Sequence, residues 1–160
     1  MSSSPILELP RDGRQSERAL TIARGTRRLL RAHGLSTLTE LTLPSGRRAD
    51  IIGIGADGAI TIVEVKSSIA DFRADQKWPD YRDHCDHLFF AISTEIPPET
   101  MPADTGLIVA DSYGADILRA APLHKLAPAT RRAMLLRFGL QAADRLHLLW
   151  DRDCGMGQTL

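Results

Sequence analysis

Cysteine is scarce in this chain. Its 160 residues hold two, Cys85 and Cys154, at no paired spacing, so nothing suggests a disulfide framework. The opening stretch MSSSPILELPRDGRQ has no basic segment followed by a continuous apolar run, which argues against a signal peptide. No apolar run approaches the roughly 20 residues that cross a bilayer, so no membrane is expected. The formal net charge is zero, unlike a uniformly basic protein that coats nucleic acid. There is no internal repeat, no low-complexity segment, no nucleophile elbow, no phosphate-binding loop and no dinucleotide fingerprint. What survives these exclusions is a cytoplasmic protein of one domain, long enough to bury a core without staples. That domain is expected over residues 14–150, between a flexible N-terminus (1–13) and a flexible tail (151–160).

The charge that is present is unevenly spread. Between Arg11 and Arg48 nine arginines face three acids, whereas between Asp50 and Asp86 eight acids face four bases. From Gln15 to His33 the positions Ala19, Ile22, Ala23, Thr26, Leu29 and Leu30 recur at helical spacing, and Gly34 ends the segment. On the other side of that helix stand Arg24, Arg27, Arg28 and Arg31, either a solvated outer face or a stripe that tracks phosphates.

STLTELTLPS and RRADIIGIG both read as strands, with a turn at Pro44-Ser45-Gly46 between them. AITIVEVKSS is a third, so three antiparallel strands in a meander are expected. ADFRADQKWPDYRDHCDH has helical character interrupted at Pro79, which would kink or split it. LFFAIS is a strand covered on both faces. GLIVADSYGADILRA reads as strand, turn and strand. A last helix runs from Pro128 to about Trp150, with Ala133, Leu136, Leu140, Ala143 and Leu146 or His147 along its apolar side. The fold class is α/β (α+β) with a mixed sheet flanked by helices, in the order α-β-β-β-α-β-β-β-α.

The third strand poses the functional question. Ile60, Ile62, Glu64 and Lys66 share one face by alternation, so that face begins apolar and ends charged, as at the mouth of a cleft. If Gly55 opposes Ala59, the loop is Ala56-Asp57-Gly58, a type I turn closed by a left-handed glycine. Asp50 then lies directly opposite Glu64. A two-residue Asp57-Gly58 turn would instead oppose Asp50 to Val65 and send the carboxylates to opposite faces. Like charges across a strand pair repel, and a divalent cation relieves the repulsion. Asp50, Glu64 and the Val65 carbonyl would hold Mg²⁺ or Mn²⁺, with Lys66 beside the attacking water, which is the chemistry of phosphodiester hydrolysis.

An Asp50…Glu64-Val65-Lys66 hairpin between two helices resembles the PD-(D/E)XK nuclease superfamily. More narrowly, SGRRADIIGI, ITIVEVKSS, ADFRADQKWPDYRDHCDHLFFAI and TGLIVADSYGADIL resemble the MmcB family of bacterial DNA repair proteins, over about residues 15 to 140. The resemblance implies a restriction-endonuclease-like core, a role in DNA repair, Asp50 and Glu64 as metal-binding acids and Lys66 as the catalytic lysine. Ala49 stands where the superfamily's name has proline. By the same resemblance Glu17 is the candidate for a further acid on the first helix. Gln76 and Lys77, with Tyr81 nearby, are candidates for substrate contact on the helix after the active strand.

Trp78 either stacks on an unpaired base or packs beneath Pro79. DHCDH (83–87) is a dense set of metal-type ligands without a second pair, so Cys85 reads as a small core residue. Three functions stay open at this point: a Mg²⁺- or Mn²⁺-dependent DNA nuclease, a non-catalytic DNA-binding or partner-binding module of the same fold, and a structural ion pair at 50, 64 and 66. Neutral charge leaves room for a homodimer or a repair-protein partner to raise affinity.

Overall fold

The computed structural model describes residues 16–151. The segments expected to be loose, 1–13 and the tail beyond 151, lie outside the described residues. Helix α1 spans Glu17–Ala32. Ser16 caps it, its hydroxyl accepting from the Ala19 N–H at 3.2 Å. Six strands follow: β1 (Ser36–Thr42), β2 (Arg48–Ile54), β3 (Ile60–Lys66), β4 (His87–Ile92), β5 (Gly106–Ala110) and β6 (Ala115–Arg119). They form one sheet in sequence order, β1-β2-β3-β4-β5-β6. The first three are antiparallel, β3-β4-β5 are parallel, and β5-β6 close as an antiparallel hairpin. The meander and the mixed sheet are as the sequence led one to expect. No helix among the described residues is long and apolar enough to cross a membrane.

The sheet separates two layers. On one face α1 buries Ile22 and Leu30 against Ile51, Val63, Val65, Phe89 and Ile108. At Gly25 the helix lies so close to the β5–β6 turn that a Cβ would collide with the carbonyl oxygens of Asp111 and Gly114. On the other face, Ile52, Ile60 and Ile62 pack against Tyr81, Cys85, Leu126 and Met134. Phe90 and Ile92 continue that face under Ile69, Phe72 and Trp78.

The region between β3 and β4 departs from the reading that placed a break at Pro79. Helix α2 is short, Ile69–Ala74, and the chain leaves it at Asp75; a 3₁₀ helix, Trp78–His84, then carries Pro79 in its first turn, where a missing N–H costs nothing. The chain does split in two, but upstream of the proline, and the reason is tertiary: Asp75 is drawn to Lys66.

Helix α3 spans Pro128–Trp150. The side it packs inward is Met134, Leu135 and Phe138. The apolar side named from the sequence is the outward one: Leu136 is 61% exposed, Leu140 58% and Leu146 55%. Apolar residues stand on both sides of this helix, so periodicity alone could not choose between them.

Asp86 ties α3 to the sheet. Its buried carboxylate accepts from the N–H of Ile60 at 2.8 Å and of Leu126 at 3.0 Å. Arg131 meets both its oxygens at 2.6 Å and also donates to the Gly58 carbonyl. This bidentate pair, at the first residue of β3, fixes where the strand starts.

Candidate functional site

The β2–β3 turn fixes the register. Gly58 has φ 80°, and the Gly55 N–H donates to the Ala59 carbonyl at 3.0 Å, which makes Ala56-Asp57-Gly58 the loop. Pairing then runs Ile54–Ile60, Gly53–Thr61, Ile52–Ile62 and Ile51–Val63. One step further, the same register sets Asp50 beside Glu64, and here side chains replace the regular ladder. Asp50 Oδ2 accepts from the Val65 N–H at 2.8 Å, and Glu64 Oε1 accepts from the Asp50 N–H at 3.2 Å. Each carboxylate is thus anchored to the opposite strand. The second oxygens, Asp50 Oδ1 and Glu64 Oε2, take no hydrogen bond from a described residue.

Electrostatics at this pair run against ionisation. Burial, followed by the nearby Asp50 charge, pushes Glu64 well above the ordinary carboxylate range. Burial also raises Asp50, against the pull of the Val65 N–H and the Lys66 ammonium. Tyr81 is raised too, by burial first and then by Glu64 and Asp50. Burial first, and then mutual repulsion, therefore oppose ionisation of both acids together.

Lys66 lies on the same face by alternation, and its surroundings differ from the open cleft mouth expected of it. Glu64 is 3% exposed and Lys66 5%. The lysine Nζ donates to Asp75 Oδ2 at 2.7 Å. Burial by itself would depress its pKa; the hydrogen bond and charge of Asp75, then Glu64 and Asp71, outweigh burial and hold it above the usual lysine value.

The remaining candidates are scattered. Tyr81 is buried, and its hydroxyl donates to the Arg48 carbonyl at 3.1 Å. Gln76 is exposed and closes the end of α2 through a 2.7 Å bond to the Arg73 carbonyl. Lys77 is exposed beside Asp75, whose Oδ1 accepts its backbone N–H. Glu17 is exposed in the first turn of α1, the helix on the other face of the sheet from the acid pair.

That layering also sets the arginine stripe of α1 across the sheet from the acid pair. Arg27 is half-buried against β1, its Nε donating to Thr37 Oγ1, and burial followed by Arg145 and Arg31 lowers its pKa. Arg28 binds the carbonyls of Ser112 and Tyr113. Arg24 and Arg31 are exposed on the same helix. Trp78 packs edge-on against Phe90 with ring centroids 5.4 Å apart, and Arg82 lies over its ring, so it serves the core. Cys85 is buried, its thiol pushed up to about 12 by burial.

Two residues escaped the sequence reading. Asp75 was readable only as part of a helix, and its role depends on a lysine that burial leaves in need of a partner. Glu40 has φ 52° and interrupts the β1–β2 pairing between Thr39–Ile51 and Leu41–Ala49, at the position opposite Asp50. Arg48 approaches its carboxylate at 3.6 Å. A non-glycine residue in that conformation is strained, and strain of this kind clusters at functional sites.

The pair Asp50–Glu64 suits a hard divalent cation: two carboxylates, an oxygen on each without a hydrogen bond from a described residue, and mutual repulsion that a cation would relieve. Mg²⁺ is commonly held by one or two carboxylates, the rest of its shell being water and phosphate. Among the described residues no group of three or more His, Cys, Asp or Glu side chains is arranged to hold a metal, so DHCDH forms no such site.

No curated protein matches the chain. Among solved structures, the SPO1766 protein of unknown function from Silicibacter pomeroyi superposes with a TM-score of 0.85 at 43% identity, covering 90% of this chain and 99% of that one. The family model for MmcB-like DNA repair proteins matches residues 8–153. By that match the chain belongs to the MmcB-like DNA repair protein family.

Proposed function

We propose that the chain is a divalent-metal-dependent deoxyribonuclease of DNA repair, with a PD-(D/E)XK, restriction-endonuclease-like core. The observation that carries this reading is the cross-anchored pair Asp50–Glu64 at the point where β2 and β3 stop pairing, with Lys66 two residues further along the same face. Asp50, Glu64 and the Val65 carbonyl would hold Mg²⁺ or Mn²⁺, which when bound neutralises the carboxylates and acidifies water for attack on phosphorus.

The chain's own groups define the rest. Lys66, with its pKa raised, is a cation and not a base at neutral pH, so its part is to stabilise negative charge on the attacked phosphate. Asp75 keeps that ammonium protonated and fixes its direction. Arg73, Gln76 and Lys77, exposed on the segment that covers this face, would meet the DNA backbone. The arginines of α1 lie in the opposite layer, so they would touch DNA only where it wraps beyond the site.

A second reading has its own support. Lys66 is already committed to a carboxylate at 2.7 Å, as in a module that keeps the fold and binds DNA without cutting it. Metal-dependent cleavage of single-stranded, duplex and branched DNA by the parent, Asp50→Asn and Lys66→Ala separates the two. The nuclease reading expects cleavage that both variants lose. Binding with a steep salt dependence and no cleavage by the parent would establish the module. Equal cleavage by all three proteins would place the chemistry elsewhere.

A further inference from the structure

We propose that two copies of this chain pair through the outer faces of α3, antiparallel, with Trp150 of each copy seated at the start of the other's helix. The helix has 23 residues, about 35 Å at 1.5 Å per residue. Its inward side is occupied by Met134, Leu135 and Phe138. Directly opposite, Ala133, Leu136, Leu140, Ala143, His147 and Trp150 follow one another at alternating steps of three and four, the seam of a coiled coil. All six are exposed; Leu136 is 61% exposed, Leu140 58% and Trp150 84%. A helix apolar on both sides is normally covered on both.

Several features say that the cover is a second copy, running the other way. Antiparallel alignment about the middle of the seam places Trp150 of the second copy near Ala133. At that level of the helix, on the flank of Arg132, lies a groove of ≈ 590 Å³ lined by Pro128, Arg132, Leu135 and Leu136 among others. The largest exposed side chain of the helix and the groove that suits it are therefore at opposite ends of one face, on the same flank of the seam. Such an arrangement is satisfied twice by a two-fold axis. Arg132 there can lie over the indole ring.

The charges flanking the seam agree. Arg137 and Asp144 occupy the other flank. In the antiparallel pair Arg137 of one copy faces Asp144 of the other, twice, whereas a parallel pair would bring Arg132 of one copy beside Arg137 of the other. Asp144 has no ion-pair partner among the described residues, and Arg137 uses one nitrogen on the Thr42 carbonyl. Gly139 adds a separate indication. It is exposed in mid-helix with no atom near where its Cβ would be, so the isolated chain gives no reason for a residue that weakens helices. Close to the two-fold axis it lets the backbones approach.

Sedimentation equilibrium of the full chain tests the pairing, with melting curves confirming that each variant folds. The parent should be a dimer at micromolar concentration, and Leu140→Glu a folded monomer. Trp150→Ala should weaken the dimer about thirtyfold or more, as loss of an aromatic anchor seated in a pocket does. Arg137→Asp should weaken it up to about tenfold, and adding Asp144→Arg should restore it. A monomeric parent, or dimerisation that survives Leu140→Glu, would overturn the proposal. Tighter association of Arg137→Asp would mean a parallel pair and would overturn the seating of Trp150.

Discussion

Lys66 and Asp75 make an ion pair of 2.7 Å in which the lysine side chain is 6% exposed and the aspartate 21%. The strand that carries Lys66 is buried along its whole length. An ammonium at the end of such a strand needs a carboxylate, and the chain supplies one by leaving α2 at Asp75. The ion pair thereby determines both where the helix breaks and how the lysine points.

Removing Asp75 therefore leaves a buried cation without its partner. Asp75→Ala is expected to destabilise the fold by about 3 kcal/mol, the lower end for a broken buried pair because Asp75 is partly exposed. The pH dependence has a definite sign. Lys66 is raised above its ordinary value of 10.5, so its contribution is complete below that value and is lost as pH rises through the folded pKa. Urea unfolding at about pH 9 to 12 should show the parent losing stability above the ordinary lysine value and Asp75→Ala not sharing that loss. Parallel curves for the two proteins would show that the pair contributes nothing.

Glu64→Gln tests the acid pair without touching the fold, since the amide oxygen can still accept from the Asp50 N–H. Glu64 is raised above its ordinary value of 4.5, so the ionised carboxylate opposes folding. That penalty is complete above the folded pKa, shrinks as pH falls and vanishes below the unfolded value. In chelator the variant should melt higher than the parent at pH 7, and the two should converge near pH 4. A variant that melts lower at neutral pH would mean that the carboxylate is already neutralised by its neighbours.

Gly25→Ala should be destabilising although alanine is the better helix former by about 1 kcal/mol. The added methyl would meet the Asp111 and Gly114 carbonyls, and overpacking of this kind costs roughly 1–3 kcal/mol. A melting temperature above that of the parent would show that α1 can retreat from the turn.

The part of the architecture that local chemistry dictates was legible in the sequence. Asp57-Gly58 marked the turn and suited a three-residue loop, with a two-residue turn as the alternative; the structure has the three-residue loop, whose register places Asp50 beside Glu64. The uninterrupted apolar run of β4 marked it as covered on both faces. What stayed hidden depends on contacts distant in the chain. Asp75 has no local signature, because its significance comes from the burial of Lys66. Leu136 and Leu140 form a regular stripe that suggested the packing face of α3, but it is Met134, Leu135 and Phe138 on the other side that pack inward, a choice that depends on contacts with the sheet. The arginines of α1 gather on one side as expected, yet only the fold reveals that the side belongs to the layer away from the carboxylates.

Calorimetric titration of Mn²⁺ into the folded parent, Asp50→Asn and Glu64→Gln addresses the central claim with the fewest assumptions. One site per chain is expected in the parent, its affinity falling in both variants and weakening in the parent as pH drops and the carboxylates protonate. Unchanged binding in either variant, or no binding by the parent at millimolar ion, would contradict the assignment of these two acids to a metal.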